Sequence, residues 1–561
     1  MEAGKRSIRD IFNGMRLLEI PYFQRAYVWD DDNWDRFFAD METVSTTQKP
    51  YFLGSVILKQ KPTGAGSSTG DVRIVIDGQQ RLTTLFLFLK ALGKARGQED
   101  LLRQTFYNMA GTLAIAHNHL DAPIFEAILS DRVTPKLEDH YAQNQVLAAY
   151  RYFDKQATRI RAIDPMRLFS HVYFVGIDLG AEEDEQQVFN TINSLGVSLS
   201  TAELLKNDLF HRDNASLFDQ TWLPAFEADE DTRQYWSASI TAGRERRENI
   251  DLFMQAYLLM VAANPDSVRV DALYPSFKNH LKTLDDTGVL IEDLTQCAAI
   301  YRDHVDPGVQ DIQLAKDDYV DRLTVVVFGL STTTVVPYIL FILRNANGAD
   351  RDRLLYLVET YLVRRFLCKD TSKNYNKFFG SLIRDNVTTP HMLVERFKAE
   401  ASTVNAFPDD HAVRSGVLDS DLTNKQALVI LWLLELSVRN NKKQSTALSG
   451  LSHYSLEHLM PKKWRNHWGH LPPEEAARRD QSLKKLGNLS LLASGLNTSV
   501  SDSDWATKKA GSGNHLGLEE YAKGLETLSP YLPLPSWDEA SIAARAEKLT
   551  EQILQTWPTP V

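Results

Sequence analysis

Cysteine is nearly absent. Cys297 and Cys368 are the only two in 561 residues, too few for a disulfide scaffold or a Cys-rich zinc module and in keeping with a reducing cytosol. Surplus basic charge is absent too: 62 Lys and Arg face 73 Asp and Glu, a formal net charge of −11. That excludes a protein coated in basic surface, though not a local basic face. The opening residues lack the apolar core of a signal peptide, because Arg9, Asp10, Arg16 and Glu19 interrupt Ile8–Ile20. One charge-free stretch, Leu323–Leu343, has spanning length. It holds Gly329, Ser331, the threonine run Thr332–Thr334 and Pro337, so it reads as a buried helix pair and not a membrane span. A cytoplasmic chain is expected.

The composition, 43% hydrophobic, 24% charged and 10% aromatic, is that of a globular protein and excludes extensive disorder. The length suggests roughly three to four domains. Residues 1–214 read as an α/β domain. Tyr51–Lys59 and Val72–Ile76 are expected strands joined by a loop over Pro62–Gly70, which is no P-loop because no GK[ST] follows. Leu82–Leu92 is an expected buried helix ended by Gly93, and His171–Asp178 a further strand. Glu182–Phe210 reads as two helices around Asn193–Gly196, with Ser200 and Glu203 forming a capping box for the second. Residues 215–423 read as helical, with apolar residues at three- and four-residue spacing in Leu252–Met260 and Leu354–Leu367. The acidic stretch Asp409–Thr423 is an expected boundary. Residues 424–561 open with a helix, Ala427–Leu436, and close with another, Ser536–Trp557. The overall expectation is α+β, mainly helical.

The C-terminal part carries an ordered string: Glu457-His458-Leu459-Met460-Pro461, then Leu486-Gly487-Asn488-Leu489-Ser490-Leu491-Leu492, then Asn497, then Lys508-Lys509. Cutting a phosphodiester needs a base to activate water and a cation to stabilise the phosphorane and the leaving oxygen, both held rigidly. A neighbouring imidazole and carboxylate supply a base and a metal ligand, and the Asn497 carbonyl is a hard oxygen donor suited to Mg²⁺. Adjacent strand residues face opposite ways, so a bend or bulge is required for Glu457 and His458 to serve one site. Nine Lys and Arg against six Asp and Glu between Glu457 and Lys509, with Trp464 and Trp468 among them, read either as a phosphate-binding face or as a solvated face with two anchoring tryptophans. His453, His467 and His470 match no zinc spacing and are structural or DNA-facing.

Glu-His-x-x-Pro, Gly-Asn-Leu-x-Leu-Leu and the second Asn resemble an HNH (ββα-metal) nuclease, most closely the C-terminal domain of GmrSD-type modification-dependent restriction enzymes. The resemblance implies His458 as general base and Glu457 as a metal contact. It further implies that Asn488 braces the motif loop, that Asn497 completes the metal site, and that Lys508 or Lys509 neutralises phosphate. Mg²⁺ or Mn²⁺ is the implied ion.

A second string lies N-terminally. Ile74-Val75-Ile76 leads into Asp77-Gly78-Gln79-Gln80-Arg81-Leu82-Thr83-Thr84. A glycine turn between strand and helix points backbone N–H groups at an anion, Arg81 can fork onto phosphate, and Asp77 can hold a metal or orient water. Upstream stand Ile20-Pro21-Tyr22-Phe23-Gln24-Arg25-Ala26-Tyr27-Val28-Trp29, and downstream Asn190-Thr191-Ile192-Asn193 and Leu204-Leu205-Lys206-Asn207. Together these look like the ParB/sulfiredoxin-like NTPase domain of the same enzymes, which more often show Glu-x-x-Asn where Asn190–Asn193 stand. The resemblance implies that Asp77, Gly78, Gln79, Gln80 and Arg81, with Gln24 and Arg25 beside them, bind a nucleoside triphosphate. GTP is favoured, with ATP, UTP or CTP as alternatives. Pro21, Tyr22, Gln24 and Arg25 would sense DNA or a modification on it. The run Glu182–Glu185 reads as solvated helix N-terminal charge. Arg364-Arg365 reads as a phosphate contact or a surface pair.

The expected function is an NTP-regulated, modification-sensing DNA endonuclease or nickase of bacterial anti-phage defence. It would act on double-stranded DNA of glucosylated type, as GmrSD-type enzymes do, or sense backbone phosphorothioate, as the related SspE-type effectors do. A homodimer is compatible with this. The alternatives are a ParB-like nucleotide-switched DNA-binding protein with an inactive HNH-like platform, and an NTPase whose partner cuts.

Overall fold

The computed structural model describes residues 2–61, 71–181, 183, 200–242, 245–262, 268, 272–400, 404–419, 421–439, 447–493, 502–512, 515–522 and 524–560. The backbone divides into two units, Met1–Gln220 with Phe277–Asn279, and Thr221–Ser276 with His280–Val561.

The first unit is built on a mixed six-stranded sheet. Its strands are β1 (Glu2–Ser7), β2 (Arg16–Glu19), β3 (Tyr51–Gln60), β4 (Asp71–Asp77), β5 (Ile115–Ala116) and β6 (Val172–Leu179), in the order β1-β6-β3-β4-β2-β5. The two strands expected around the 62–70 loop are the antiparallel pair β3–β4, and β3 also runs parallel to β6. The loop itself lies outside the described residues. After β4 comes the helix Gln79–Arg96, with Leu82, Leu85–Leu89 and Leu92 buried. Every residue from Leu82 to Gly93 is buried, Thr83, Thr84 and Lys90 included, as in a helix enclosed by a core. Gly93 does not end it. Lys94, Ala95 and Arg96 are strong helix formers and carry it on, and the left-handed cap is Gly97, at φ 63°. The Ser200–Glu203 capping box forms, and the helix Thr201–Leu209 follows it. The partner helix expected before it, with Asn190 and the Asn193–Gly196 turn, lies outside the described residues, as does most of Glu182–Glu185.

The second unit is mostly helical. Leu323–Leu343 is a buried helix pair, Tyr319–Gly329 and Val336–Asn345, joined by the short 3-10 turn Thr333–Val335. Pro337 sits in the first turn of the second helix, where its missing N–H is not needed. Among the described residues no helix is long and apolar enough to cross a membrane. The 409–423 stretch contains a helix. Asp409 caps a helix, Asp410–Leu418, by accepting from Ala412 N at 2.8 Å, so acidic residues gather there because helix starts favour them.

Arg364 and Arg365, in the helix Gly348–Leu367, are neither phosphate contacts nor a surface pair. Both are buried. Arg364 donates to the carbonyls of Pro408 (2.9 Å) and Trp557 (2.7 Å) and to Asp410. Arg365 donates to those of Val404, Ala406 and Thr371. Five N–H donors on one rigid plane suit them to collect carbonyls that loops leave unpaired. The unit's strands include a hairpin, β7 (Ser239–Ala242) and β8 (Glu245–Glu248), and an antiparallel ribbon, β9 (Tyr454–His458) and β10 (Leu489–Ala493). The ribbon packs on the helix Asn424–Val438, and the 3-10 turn Leu486–Asn488 that leads into β10 packs on the helix Glu539–Thr556.

Candidate active site

β9 and β10 pair in unbroken register, His458 opposite Leu489 and Glu457 opposite Ser490. No bulge turns the two side chains to one face. Glu457 lies inside, 4% exposed, in an ion pair with Lys508 of the helix Trp505–Ala510. His458 is the last residue of the strand and is half-buried. Its carbonyl accepts from the same Lys508 ammonium at 2.7 Å. What joins the two residues is thus the lysine between them.

Burial, reinforced by the ammonium groups of Lys462 and Lys508, pushes the His458 imidazole down to about 4. It is neutral at pH 7 and able to take a proton. Burial raises the Glu457 carboxyl and lowers the Lys508 ammonium, while their mutual attraction opposes both shifts. Lys508 is fully buried. In this arrangement it neutralises Glu457 and does not face solvent as a phosphate-binding lysine would. Lys509 donates to the Leu534 carbonyl at 2.9 Å. Lys462, exposed beside His458, is the cation sequence reasoning passed over. Only its place in the turn after the motif could have pointed to it.

Asn488 holds the turn that follows His458. Its Nδ2 donates to the carbonyls of Met460 (2.9 Å) and Leu483 (3.0 Å), and its Oδ1 accepts from Met460 N (2.8 Å) and Trp537 Nε1 (3.1 Å). The amide's two donors and two lone pairs are all used. Leu459 N adds a bond to the Asn488 carbonyl, at 2.9 Å. Gly487 is required by close approach, because a Cβ there would lie 2.1 Å from the Ile542 carbonyl. Arg545, in the same C-terminal helix, donates to the carbonyls of Gly487 (2.8 Å) and Leu489 (2.7 Å). Its distance in sequence from the motif hid that role.

The donor chemistry fits a hard divalent ion in part. Glu457 and the His458 carbonyl are two oxygens already turned toward one cation, the Lys508 ammonium. Among the described residues no three His, Cys, Asp or Glu gather around a common point, and Asn497 lies outside them. The surrounding charge is largely spent. Arg465 pairs with Asp480, Arg479 with Glu539, Lys485 with Asp419, Lys484 with Asp421 and Lys463 with Asp502. Trp464 is buried and donates to Asp480 at 2.8 Å, and Trp468 donates to the Ser503 carbonyl. The two tryptophans anchor this surface.

In the first unit the second string gathers at the β4–helix junction. Gly78, at φ 102°, caps the helix Gln79–Arg96, and a Cβ there would lie 2.9 Å from Val56 Cγ2. Asp77 accepts from Ser55 Oγ at 2.9 Å and from Arg81 at 3.4 Å, and Arg81 also donates to the Ser55 carbonyl. Part of the Arg81 fork is therefore committed to the protein. Gln80 Oε1 accepts from Val28 N (2.9 Å), Gln79 Nε2 donates to the Arg25 carbonyl (3.5 Å), and Asn207 donates to Gln24 (2.9 Å). Three atoms here are buried with no hydrogen-bond partner among the described residues: Gln79 Oε1, Gln80 Nε2 and Asn207 Oδ1. The Arg25 side chain is exposed.

The segment 21–27 is held by residues sequence reasoning missed. Asp121 accepts from Tyr27 N (2.7 Å), Asn118 from its side chain reaches the Arg25 carbonyl (3.2 Å), and His119 donates its N–H to the Tyr22 carbonyl (2.9 Å). Half-buried Tyr22 stacks loosely on His119, at 5.2 Å, beside Pro21. The dense His117-Asn118-His119-Leu120-Asp121 run was the available signal.

Residues 8–210 match the family described as the GmrSD restriction endonuclease N-terminal domain, and residues 408–552 match the GmrSD restriction endonuclease C-terminal domain. The second match opens at the capped 410–418 helix. No curated protein matches the chain. The β4–helix junction falls inside the first match and the β9–β10 turn inside the second, so the chain belongs to the GmrSD restriction endonuclease family and is a DNA endonuclease of restriction-type phage defence.

Proposed function

We propose that this endonuclease is switched by a nucleoside triphosphate, senses a modification on double-stranded DNA, and cuts phosphodiesters with His458 as general base. The observation that carries the catalytic part is a neutral imidazole at the end of a strand whose following turn is fixed by four Asn488 hydrogen bonds. His458 takes a proton from water as the water oxygen attacks phosphorus. Exposed Lys462 lends positive potential to the phosphate. Glu457 and Asn497 would hold Mg²⁺ or Mn²⁺, which supplies charge to the leaving oxygen when bound. Lys508 must then release Glu457.

Asp77, Gly78, Gln79, Gln80 and Arg81, with Gln24 and Arg25, form the nucleotide cleft in this reading, and the unpaired amide atoms support it. Pro21 and Tyr22 face the DNA modification. GTP is the favoured nucleotide.

The test is cleavage of supercoiled plasmid, unmodified, phosphorothioated or glucosylated, with Mg²⁺ or Mn²⁺ and with each nucleotide. His458→Ala is expected to lose about 10²–10⁴-fold in rate, and Asp77→Ala to lose only the response to nucleotide. Cleavage that survives His458→Ala would remove the histidine from its role. Cleavage indifferent to nucleotide would remove the switch.

A further inference from the structure

The helical part of the second unit holds a cavity of about 780 Å³ that neither motif uses. Its walls come from the helices Tyr319–Gly329, Gly348–Leu367 and Glu539–Thr556 and the loop before the first. The floor is closed. Arg322 meets Glu359 through two bonds, at 3.1 and 2.6 Å, and spends its remaining reach on the Lys316 carbonyl and Ser437 Oγ, both at 3.0 Å. Glu359 also accepts from Trp557 Nε1 at 2.7 Å. This buried pair is satisfied and rigid, and it offers a ligand nothing.

The walls differ. Arg353 lies over the Tyr356 ring, 5.2 Å from its centre, and Tyr319 meets the same ring edge-on at 5.9 Å. Among the described residues Lys316, Gln552, Gln555 and the Tyr319 hydroxyl have no side-chain hydrogen bond, and Arg353 has no carboxylate. Asp317, also in the wall, has no counter-ion there. Lys548 in the wall pairs with Glu551 and Asp352 with Arg351, which leaves two unpaired cations, two rings, two carboxamides and the carboxylate of Asp317 as a composite chemistry. The cations suit a phosphate, the rings a flat heterocycle, and the amides and the carboxylate the edge of a base or the hydroxyls of a sugar. A site for phosphate alone would have no use for the tyrosines or for Asp317.

We propose that this cavity binds a nucleotide, supplied either free or as part of a DNA strand. The wall helix that carries Gln552 and Gln555 also carries Arg545, which holds the carbonyls beside Asn488. An occupant would therefore touch the element that braces the nuclease turn. The proposal is independent of the nucleotide cleft assigned to the first unit.

Isothermal titration of the full chain with GTP, ATP and a short oligothymidylate tests it, comparing wild type with Arg353→Glu, Tyr319→Ala and the first-unit variant Gln80→Ala. Both cavity residues are partly exposed, and Gln555→Ala serves as a third variant if either fails to fold by circular dichroism. The expected result is a binding event weakened about tenfold or more by the cavity substitutions and untouched by Gln80→Ala. Appearance of that event with free nucleotide marks an effector site, and with oligothymidylate alone a strand contact. Binding that responds only to Gln80→Ala overturns the cavity proposal and leaves the first-unit reading standing. A separate event weakened by Gln80→Ala alone belongs to the first unit, and its absence overturns that reading while the cavity proposal stands.

Discussion

The two motif regions treat their polar groups in opposite ways. At the β9–β10 turn Asn488 makes all four of its hydrogen bonds and the buried carboxylate of Glu457 has its ammonium partner, with Arg545 Nη2, behind the turn, buried without a partner among the described residues. At the β4–helix junction Gln79 Oε1, Gln80 Nε2 and Asn207 Oδ1 are buried with no partner among the described residues. An unpaired buried polar atom costs about 1–3 kcal/mol, so such a cluster is stability left unclaimed. The first region is a frame, fixed before any substrate arrives. The second, in the reading proposed above, would be completed by the nucleotide it binds.

The sharpest test of the frame is Asn488→Ala. Four buried partners lose their bonds at once, for an expected loss of roughly 5 kcal/mol or more in urea denaturation followed by tryptophan fluorescence. Cleavage should fall with it. A loss under about 1 kcal/mol would show that the turn holds without the amide.

Next comes the buried pair. Glu457→Gln or Lys508→Met alone should destabilise by about 3–4 kcal/mol, because each leaves one charge buried without its counterpart. The double variant should regain most of that while remaining inactive, so stability and cleavage separate. Full recovery of cleavage in the double variant would exclude Glu457 from the chemistry.

A third test uses pH in the first unit. Burial, only partly offset by Asp121, pushes the His117 imidazole down from its ordinary 6.5 to about 4. Its Nδ1 accepts from Asn118 N at 3.1 Å, which leaves the proton on Nε2, facing Thr83. Between pH 6.5 and 4 the unfolded chain binds the extra proton and the folded chain does not. Stability should therefore be constant above pH 7 and fall by on the order of 2–3 kcal/mol as pH drops toward 4. Segment 21–27, tied to this cluster through Asn118 and Asp121, should loosen in hydrogen exchange over the same window. A flat profile, or one unchanged by His117→Gln, would remove His117 as the cause.

Much of this was legible in the chain. Strands β3 and β4, the buried 319–345 helix pair and the Ser200 cap follow from local pattern, which is why they could be read. The 364–365 arginines were misread because exposure is a tertiary property: apart from that of Thr371, the carbonyls they collect lie some forty to nearly two hundred residues away. The basic face from 457 to 509 was read from one side only, since Asp419, Asp421 and Glu539, which neutralise much of it, lie outside that window. Glu457 and His458 were identified as neighbours in sequence. The lysine that connects them, fifty residues on, was assigned to phosphate because sequence order does not show which way a side chain turns.

The smallest stability effect should come from Gln80→Ala, and that smallness is its value. The substitution deletes Nε2, a buried donor with no partner among the described residues, and removes one acceptor from Val28 N, whose residue is exposed and whose N–H water can reach. The lost bond and the relieved desolvation are of similar size and opposite sign, so the net change should stay within about 0.5 kcal/mol. Nucleotide binding to the first unit should nevertheless weaken about tenfold, one hydrogen bond's worth in a site that excludes water. A residue whose loss is silent in denaturation and loud in binding belongs to a ligand. If Gln80→Ala instead destabilises the unit as a saturated amide would, by 2 kcal/mol or so, the cleft is a frame like the other and the contrast between the two regions disappears.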